Sequence, residues 1–233
     1  MAKKKKPVYT DEERIIRVWD IEKVKDLMSL RAIMDANGEH AEELDQLWVQ
    51  EPENQATASF GRNWGYYVGM DNIRSYYVDH IAELNLCSTG CFALQPLSTP
   101  HVVLADDGKT AQGTWYSIGV DCRGKADGDA ECNWKAEKIC ADLIKEAGGW
   151  KIWHLFISWD YSVEAGRSAG EYQAIYIRGT DPDETEFGTP TIPMLAHDPS
   201  YTWCDNYPPL GEAYATFTDE ISYGPEGHPK YDG

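Results

Sequence analysis

The sequence lacks any apolar run of about 18 residues, so no membrane-spanning helix is expected. Positive charge is also scarce: 21 Lys and Arg stand against 39 Asp and Glu, giving a net charge of −18. A nucleic-acid partner needs a basic face to meet phosphates, and nothing beyond Lys6 supplies one. The opening MAKKKKP is basic but runs into the polar VYTDEER rather than an apolar segment. It reads as a solvated, disordered start, not an export signal. Signatures of bound groups are missing too: no Walker or dinucleotide glycine pattern, no H-E-x-x-H and no G-x-S-x-G. Cysteine is sparse (Cys87, Cys91, Cys122, Cys132, Cys140 and Cys204), and CSTGC has no second Cys or His pair at zinc spacing. These absences lead us to expect a cytoplasmic protein with reduced thiols, no metal and no cofactor.

The residues that are present fall into two textures. In DEERIIRVWDIEKVKDLMSLRAIMDANG, apolar residues recur at Ile16, Trp19, Val24, Leu27, Leu30 and Met34, the spacing of an amphipathic helix that Gly38 stops. EHAEELDQLWV predicts a second helix, closed by Pro52. ATASFGRNWGYYVG predicts a strand, and MDNIRSYYVDHIAEL a third helix with Asp71 as its N-cap. From PHVVLA onward strands alternate with turns, and DDGK and EAGG carry hairpin chemistry. Helices grouped ahead of a meander imply an α+β layer fold: a curved antiparallel sheet wrapped on one side by about three N-terminal helices.

Residues 1–14 are expected to be the disordered start, 15–165 the folded domain and 166–233 an arm. The arm is rich in proline, acidic residues and aromatics. Disordered tails are poorer in aromatics, so an extended arm packed on its own domain or on a neighbouring subunit is expected. EYQAIYIRG could add one strand to it. A homo-oligomer, dimer or trimer, built through a sheet face and this arm is the matching expectation.

Four stretches, in order, resemble the SnoaL-like family, within the superfamily of nuclear transport factor 2, ketosteroid isomerase and scytalone dehydratase. They are IEKVKDLMSLRAIMDANGEHAEELDQLW, GYYVGMDNIRSYY, TPHVVLADDGKTAQGTWY and GGWKIWHLFISWDY, together spanning roughly residues 15 to 162. The resemblance implies a cone-shaped sheet closed by helices around a deep, mostly apolar pocket. Family members include cofactor-free isomerases, cyclases, dehydratases and hydrolases, as well as non-catalytic proteins. The hairpin texture is similar to that of bile-acid dehydratases. By this resemblance Asp35 falls where many family enzymes keep an aspartate at the end of the first helix. The tyrosine position holds Leu30 or Arg31, the dehydratase-type histidine falls on Ser98, and the closing-strand arginine falls near Ser158.

On the last strand, alternation puts Trp153, Leu155, Ile157 and Trp159 on one face and Trp150, Ile152, His154, Phe156, Ser158 and Asp160 on the other. The second face mixes aromatic and polar side chains, as a ligand cavity does. His154 and Asp160 lie about 20 Å apart along a strand and cannot form a dyad. His154 is either a general acid or base, since histidine exchanges protons near neutral pH, or a buried residue bonded to its surroundings. Asp35 is either a base beside an apolar cavity or a helix-end acceptor. His101 is a further candidate, or else a rim residue beside Pro100, and His80 sits near a helix end. Tyr66 or Tyr116 would polarise a substrate oxygen, with Trp64, Trp150, Phe156 and Ser158 lining the pocket. Together these predict a cofactor-independent lyase or isomerase acting on a hydrophobic, ring-bearing small molecule. The alternative is a non-catalytic binding or assembly module, related in shape to the β subunits of ring-hydroxylating dioxygenases, that uses the arm.

Overall fold

The computed structural model describes residues 7–80, 92–124, 130–166, 189–193 and 208–227. Helix α1 (Asp11–Asn37) opens on a capping box. The Thr10 hydroxyl accepts from the Glu13 N–H, and the Glu13 carboxylate accepts from the Thr10 N–H at 2.7 Å. It stops where Gly38 takes φ 75°, a left-handed conformation that costs glycine nothing. α2 (His40–Leu47) and α3 (Pro52–Thr57) follow.

The buried stripe of α1 differs from the predicted one. Asp20, Val24, Met28, Arg31 and Met34 face the core, while Ile16, Trp19 and Leu30 are exposed. The reason is that the two charged members find partners inside. The Asp20 carboxylate accepts from the Trp150 indole (3.0 Å) and from Lys145, and Arg31 enters a polar network described below. Such pairing offsets the cost of burying charge, and an apolar-periodicity argument cannot see it.

ATASFGRNWGYYVG is not one strand but a hairpin, β1 (Ser59–Arg62) and β2 (Gly65–Val68), turning at Asn63 and Trp64. The Asn63 side chain fixes that turn to the sheet, donating to the Trp159 carbonyl and accepting from the Trp159 N–H. α4 (Met70–Arg74) is capped by Gly69, not by Asp71, and passes into a π-helical turn, Ser75–His80. The expected continuation of this helix beyond His80 lies outside the described residues, as does EYQAIYIRG.

The sheet comprises β3 (Phe92–Leu94), β4 (Leu97–Leu104), β5 (Thr110–Gly124), β6 (Ala130–Glu146), β7 (Gly149–Glu164) and β8 (Ile192–Pro193) with the first hairpin. Their order is β3-β5-β6-β7-β1-β2-β8, with β4 also on β5. All pairs are antiparallel except β1 on β7, which runs parallel. The architecture is α+β: a curved, open sheet wrapped by the N-terminal helices. Two bulges between the long β6 and β7, at Ala136/Glu137 and Asp142/Leu143, supply curvature by adding residues to one strand.

The second bulge corrects the predicted faces of β7. The extra residue at Trp153 reverses the alternation, so Trp150 and Ile152 join Leu155, Ile157 and Trp159 on the helix side. His154, Phe156 and Ser158 turn to the opposite side. There, residues 208–227 cover them, with Tyr223, Phe156, Tyr66 and Cys140 forming a small second core. At Gly61 on β1, a Cβ would lie 2.4 Å from both the Phe156 and Tyr66 rings, so only glycine fits.

Contrary to the expectation of reduced thiols, Cys122 and Cys132 are joined in a disulfide. Strand register sets them directly opposite one another on β5 and β6. Cys140 is free and buried. Among the described residues no helix is long and apolar enough to cross a membrane.

Candidate functional site

Between the helices and the sheet, a polar network interrupts the apolar core. Arg31 and Asp35 stand one turn apart on α1, in phase with Val24 and Met28. Glu43 comes from α2, His40 opens α2, and Tyr77 comes from the π-helical turn. The Tyr77 oxygen lies 2.8 Å from Asp35 Oδ1, 2.8 Å from Glu43 Oε2 and 3.0 Å from Arg31 Nη2. The indole of Trp48 donates to Glu43 Oε1 at 3.1 Å. His40 Nε2 meets Asp35 Oδ1 at 3.3 Å, and its ring stands edge-on to Tyr77 with centroids 4.6 Å apart.

The two carboxyls of this network compete for one phenolic hydrogen. A phenol has one hydrogen and two lone pairs. The Tyr77 oxygen accepts from Arg31, and its one hydrogen is shared between the two carboxyls within reach, Asp35 Oδ1 and Glu43 Oε2. Burial alone would raise the Asp35 carboxyl. The Arg31 guanidinium and the hydrogen bonds from His40 and Tyr77 override burial and hold it well below the usual carboxylate range. Burial raises the Glu43 carboxyl, and Arg31 only partly offsets it. Asp35 is therefore the more acidic of the two carboxyls and Glu43 the less acidic, with Arg31 facing both. Within the network, access is confined to Asp35 and His40, whose side chains are 16% and 13% exposed, against 2% and 0% for Arg31 and Glu43.

A second polar group lies further along the same sheet face. Glu137 on β6 is directly opposite Ser117 on β5 and Trp159 on β7. Arg62, at the end of β1, approaches Glu137 at 3.8 Å, beyond hydrogen-bond reach. Burial pushes the Glu137 carboxyl up, against the pull of Arg62 and Lys135.

The face covered by the arm holds a different cluster. Asp142 Oδ2 accepts from the Tyr223 N–H (2.7 Å), the Ser222 hydroxyl (2.8 Å) and His154 Nδ1 (2.9 Å). Asp142 Oδ1 accepts from Gln112. Aspartate, serine and histidine thus meet, but not as a hydrolytic triad. Ser222 sits on the same imidazole nitrogen as the carboxylate (3.0 Å), where a triad needs serine on the opposite nitrogen. This cluster fastens the arm to the sheet.

The sequence-predicted residues divide between these places. Asp35 lies in the helix-side network. Trp64 and Trp150 are also on that side, Trp64 donating to the Tyr67 hydroxyl and Trp150 to Asp20. His154, Tyr66, Phe156 and Ser158 are buried beneath the arm, on the other side of the sheet from Asp35. Tyr66 donates to the Tyr223 carbonyl. His101 contacts the Gly211 carbonyl through Nε2, at the edge of the arm. Tyr116 is 46% exposed on the arm-side face of β5. His154 and Asp35 do not share a cavity. Among the described residues, no group of His, Cys, Asp and Glu side chains is arranged to hold a metal.

The residues missed were Arg31, His40, Glu43, Tyr77, Arg62 and Glu137. A signal existed for some. Arg31 and Asp35 keep the phase of Val24 and Met28, and Glu137 keeps the strand parity of Ile139, Ala141 and Leu143. A charged side chain at a core position marks either a paired charge or a site. His40 carried no such mark, because its partner is chosen by the bend at Gly38.

A family model described as a SnoaL-like domain matches residues 17–155. No curated protein matches the chain. Among solved structures, the chain is similar to a LinA-type hexachlorocyclohexane dehydrochlorinase from Novosphingobium barchaimii. The TM-score is 0.50 at 13% identity, covering 69% of this chain and 97% of that one. It is similar to LinA itself with a TM-score of 0.51 at 13% identity, over 69% of this chain and 97% of that one. A protein from Kribbella flavida is similar with a TM-score of 0.51 at 9% identity, over 63% of this chain and 94% of that one. At these identities the shared property is the fold.

Proposed function

The chain belongs to the SnoaL-like family, and from that premise we propose that it is a cofactor-independent lyase or isomerase. It would move a proton on a hydrophobic, ring-bearing small molecule held between the helices and the sheet. The observation that carries this reading is the Asp35–His40 pair, a fixed carboxylate against a partly accessible imidazole at the edge of an apolar core.

The roles follow from the charge state. A carboxylate held far below its usual range is a weak base, so Asp35 positions rather than abstracts. It accepts the Nε2 hydrogen of His40, which leaves Nδ1 as the proton acceptor, and it stabilises the imidazolium that forms. The substrate's C–H proton passes to Nδ1. The freed electron pair either forms a double bond and expels a neighbouring hydroxyl or halide, or delocalises into a carbonyl as an enolate. The enolate is then reprotonated by the same imidazolium at another carbon. Elimination is the reaction named for the similar dehydrochlorinase; the same parts serve isomerisation. Fold alone fixes neither. The other reading, an assembly module working through the arm, has no comparable support, because residues 208–227 are engaged with this chain's own sheet.

The test needs no known product. Incubation with cyclic ketones such as β-tetralone in heavy water, followed by proton NMR, should reveal α-proton exchange above the buffer rate. His40→Ala should lower that exchange by about 100-fold or more. Asp35→Asn should lower it less and move its pH profile. Exchange that survives His40→Ala unchanged removes the imidazole from the mechanism.

A further inference from the structure

Helix α1 buries one stripe against the sheet and turns a second, partly apolar one to solvent. Ile15 and Trp19 are 61% and 63% exposed, and Val18, Leu30 and Ile33 are exposed with them. Spacings of three and four residues set Ile15, Trp19, Glu22, Asp26, Leu30 and Ile33 in one row along the helix. A single exposed apolar side chain is ordinary, but two groups of them on one face, at either end of a helix about 40 Å long, mark a surface that meets a partner.

The row reads the same from either end. Ile15 and Ile33 each stand nine residues from Val24, Val18 and Leu30 six, the acids Glu22 and Asp26 two, and Lys23 and Lys25 one. Trp19 has no aromatic counterpart; its mirror position holds the small Ser29, which leaves room for an indole. A surface that matches its own reverse is what a two-fold dimer requires, because there residue i meets j while j meets i.

We propose that two copies of the chain pair through this outer face of α1, antiparallel, with the two-fold axis passing at Val24. Ile15 of one copy packs on the partner's Ile33, and Trp19 lies over the partner's Ser29 beside Leu30. Lys25 and Lys23 stand on opposite flanks of the row, and in an antiparallel pair like flanks face each other. Lys25 therefore comes against the partner's Glu22, and Lys23 against the partner's Asp26. Lys25 already bonds Glu22 of its own helix at 2.8 Å, and its three hydrogens let it serve both. A parallel pair would instead set Glu22 on Glu22 and Asp26 on Asp26, so the charges select the antiparallel register. The net charge of −18 on each copy opposes association at long range, but at 0.1 M salt that repulsion is screened beyond about 10 Å. Arg31 and Asp35 occupy the buried stripe of the same helix, so the dimer forms behind the candidate site and is independent of its chemistry.

Sedimentation equilibrium of the full chain in about 0.15 M salt should show a monomer–dimer equilibrium. Ile33→Glu should raise the dissociation constant about 100-fold or more, because each dimer loses the contact at both ends. Ile33 is exposed in the single chain, so the variant's circular dichroism should not change. Lys23→Glu with Lys25→Glu should also weaken the dimer, and adding Glu22→Lys with Asp26→Lys should restore it, since the signs are then exchanged throughout. Copper-phenanthroline oxidation reads the register: a mixture of Ile15→Cys and Ile33→Cys chains should yield a linked pair that neither variant yields alone. A chain that stays monomeric, a dissociation constant that Ile33→Glu does not move, reversed charges that fail to restore pairing, or linkage within one variant alone overturns the proposal.

Discussion

At the scale of single residues, the placement of one proton governs the candidate site. If Glu43 were ionised, Tyr77 would face two anions with one hydrogen, and Arg31 would be left to balance both. A protonated Glu43 resolves this with ordinary hydrogen bonds. Glu43→Gln should therefore be nearly neutral, because its amide donates to Tyr77 and its carbonyl accepts from Trp48. Glu43→Ala leaves Tyr77 and Trp48 short of partners and should cost about 2–4 kcal/mol in denaturant unfolding. A carboxylic C=O band in the infrared spectrum, present near neutral pH and missing in Glu43→Gln, would identify the proton directly. Equal destabilisation by both substitutions would place the proton elsewhere. The sequence made Asp35 legible, through its helix end and its resemblance to the family's aspartate. It did not reveal that Arg31 would hold the Asp35 carboxyl well below its usual range, the reason the proposed proton transfer falls to His40, five residues on.

At the scale of elements, the bulge at Trp153 is the feature that reordered the site. Strict alternation puts His154 with Trp150, whereas one added residue turns His154 to the arm and Trp150 to the helices. Bulges depend on the partner strand, so a single strand's sequence does not announce them. The arm's attachment follows from this turn. Asp142 accepts four hydrogen bonds, two of them from the arm, through Ser222 and the Tyr223 N–H. Asp142→Ala should release residues 208–227 at a cost of about 3 kcal/mol or more, since His154 and Ser222 lose their common acceptor. Limited proteolysis should then cut within 208–227 far faster than in the wild type. An arm equally resistant in the variant would show that its other contacts, among them those of Tyr66 with Tyr223 and of His101 with Gly211, suffice to hold it.

At the scale of the whole molecule, buried acids set how stability depends on pH. Asp160 is raised to about 6 by burial, against the pull of Lys138. Glu43 and Glu137 are also raised by burial. A carboxyl whose folded pKa lies above its unfolded value contributes stability while it is protonated, and that contribution is lost as pH rises through the folded pKa. For Asp160 the window runs from 3.8 to about 6. Across it the wild type should lose about 3 kcal/mol relative to Asp160→Asn, which should be the more stable at neutral pH. Parallel pH–stability curves for the two proteins would contradict that burial effect. What the sequence determined by itself was the layer order, the first helix with its glycine stop, the hairpin turns and the family. Each is written in local propensity, turn chemistry or short ordered motifs. What only the tertiary structure decided was which charged groups meet inside and which face of the last strand they occupy. Those outcomes depend on register, on bulges and on partners brought from a hundred residues away, where no local pattern reaches.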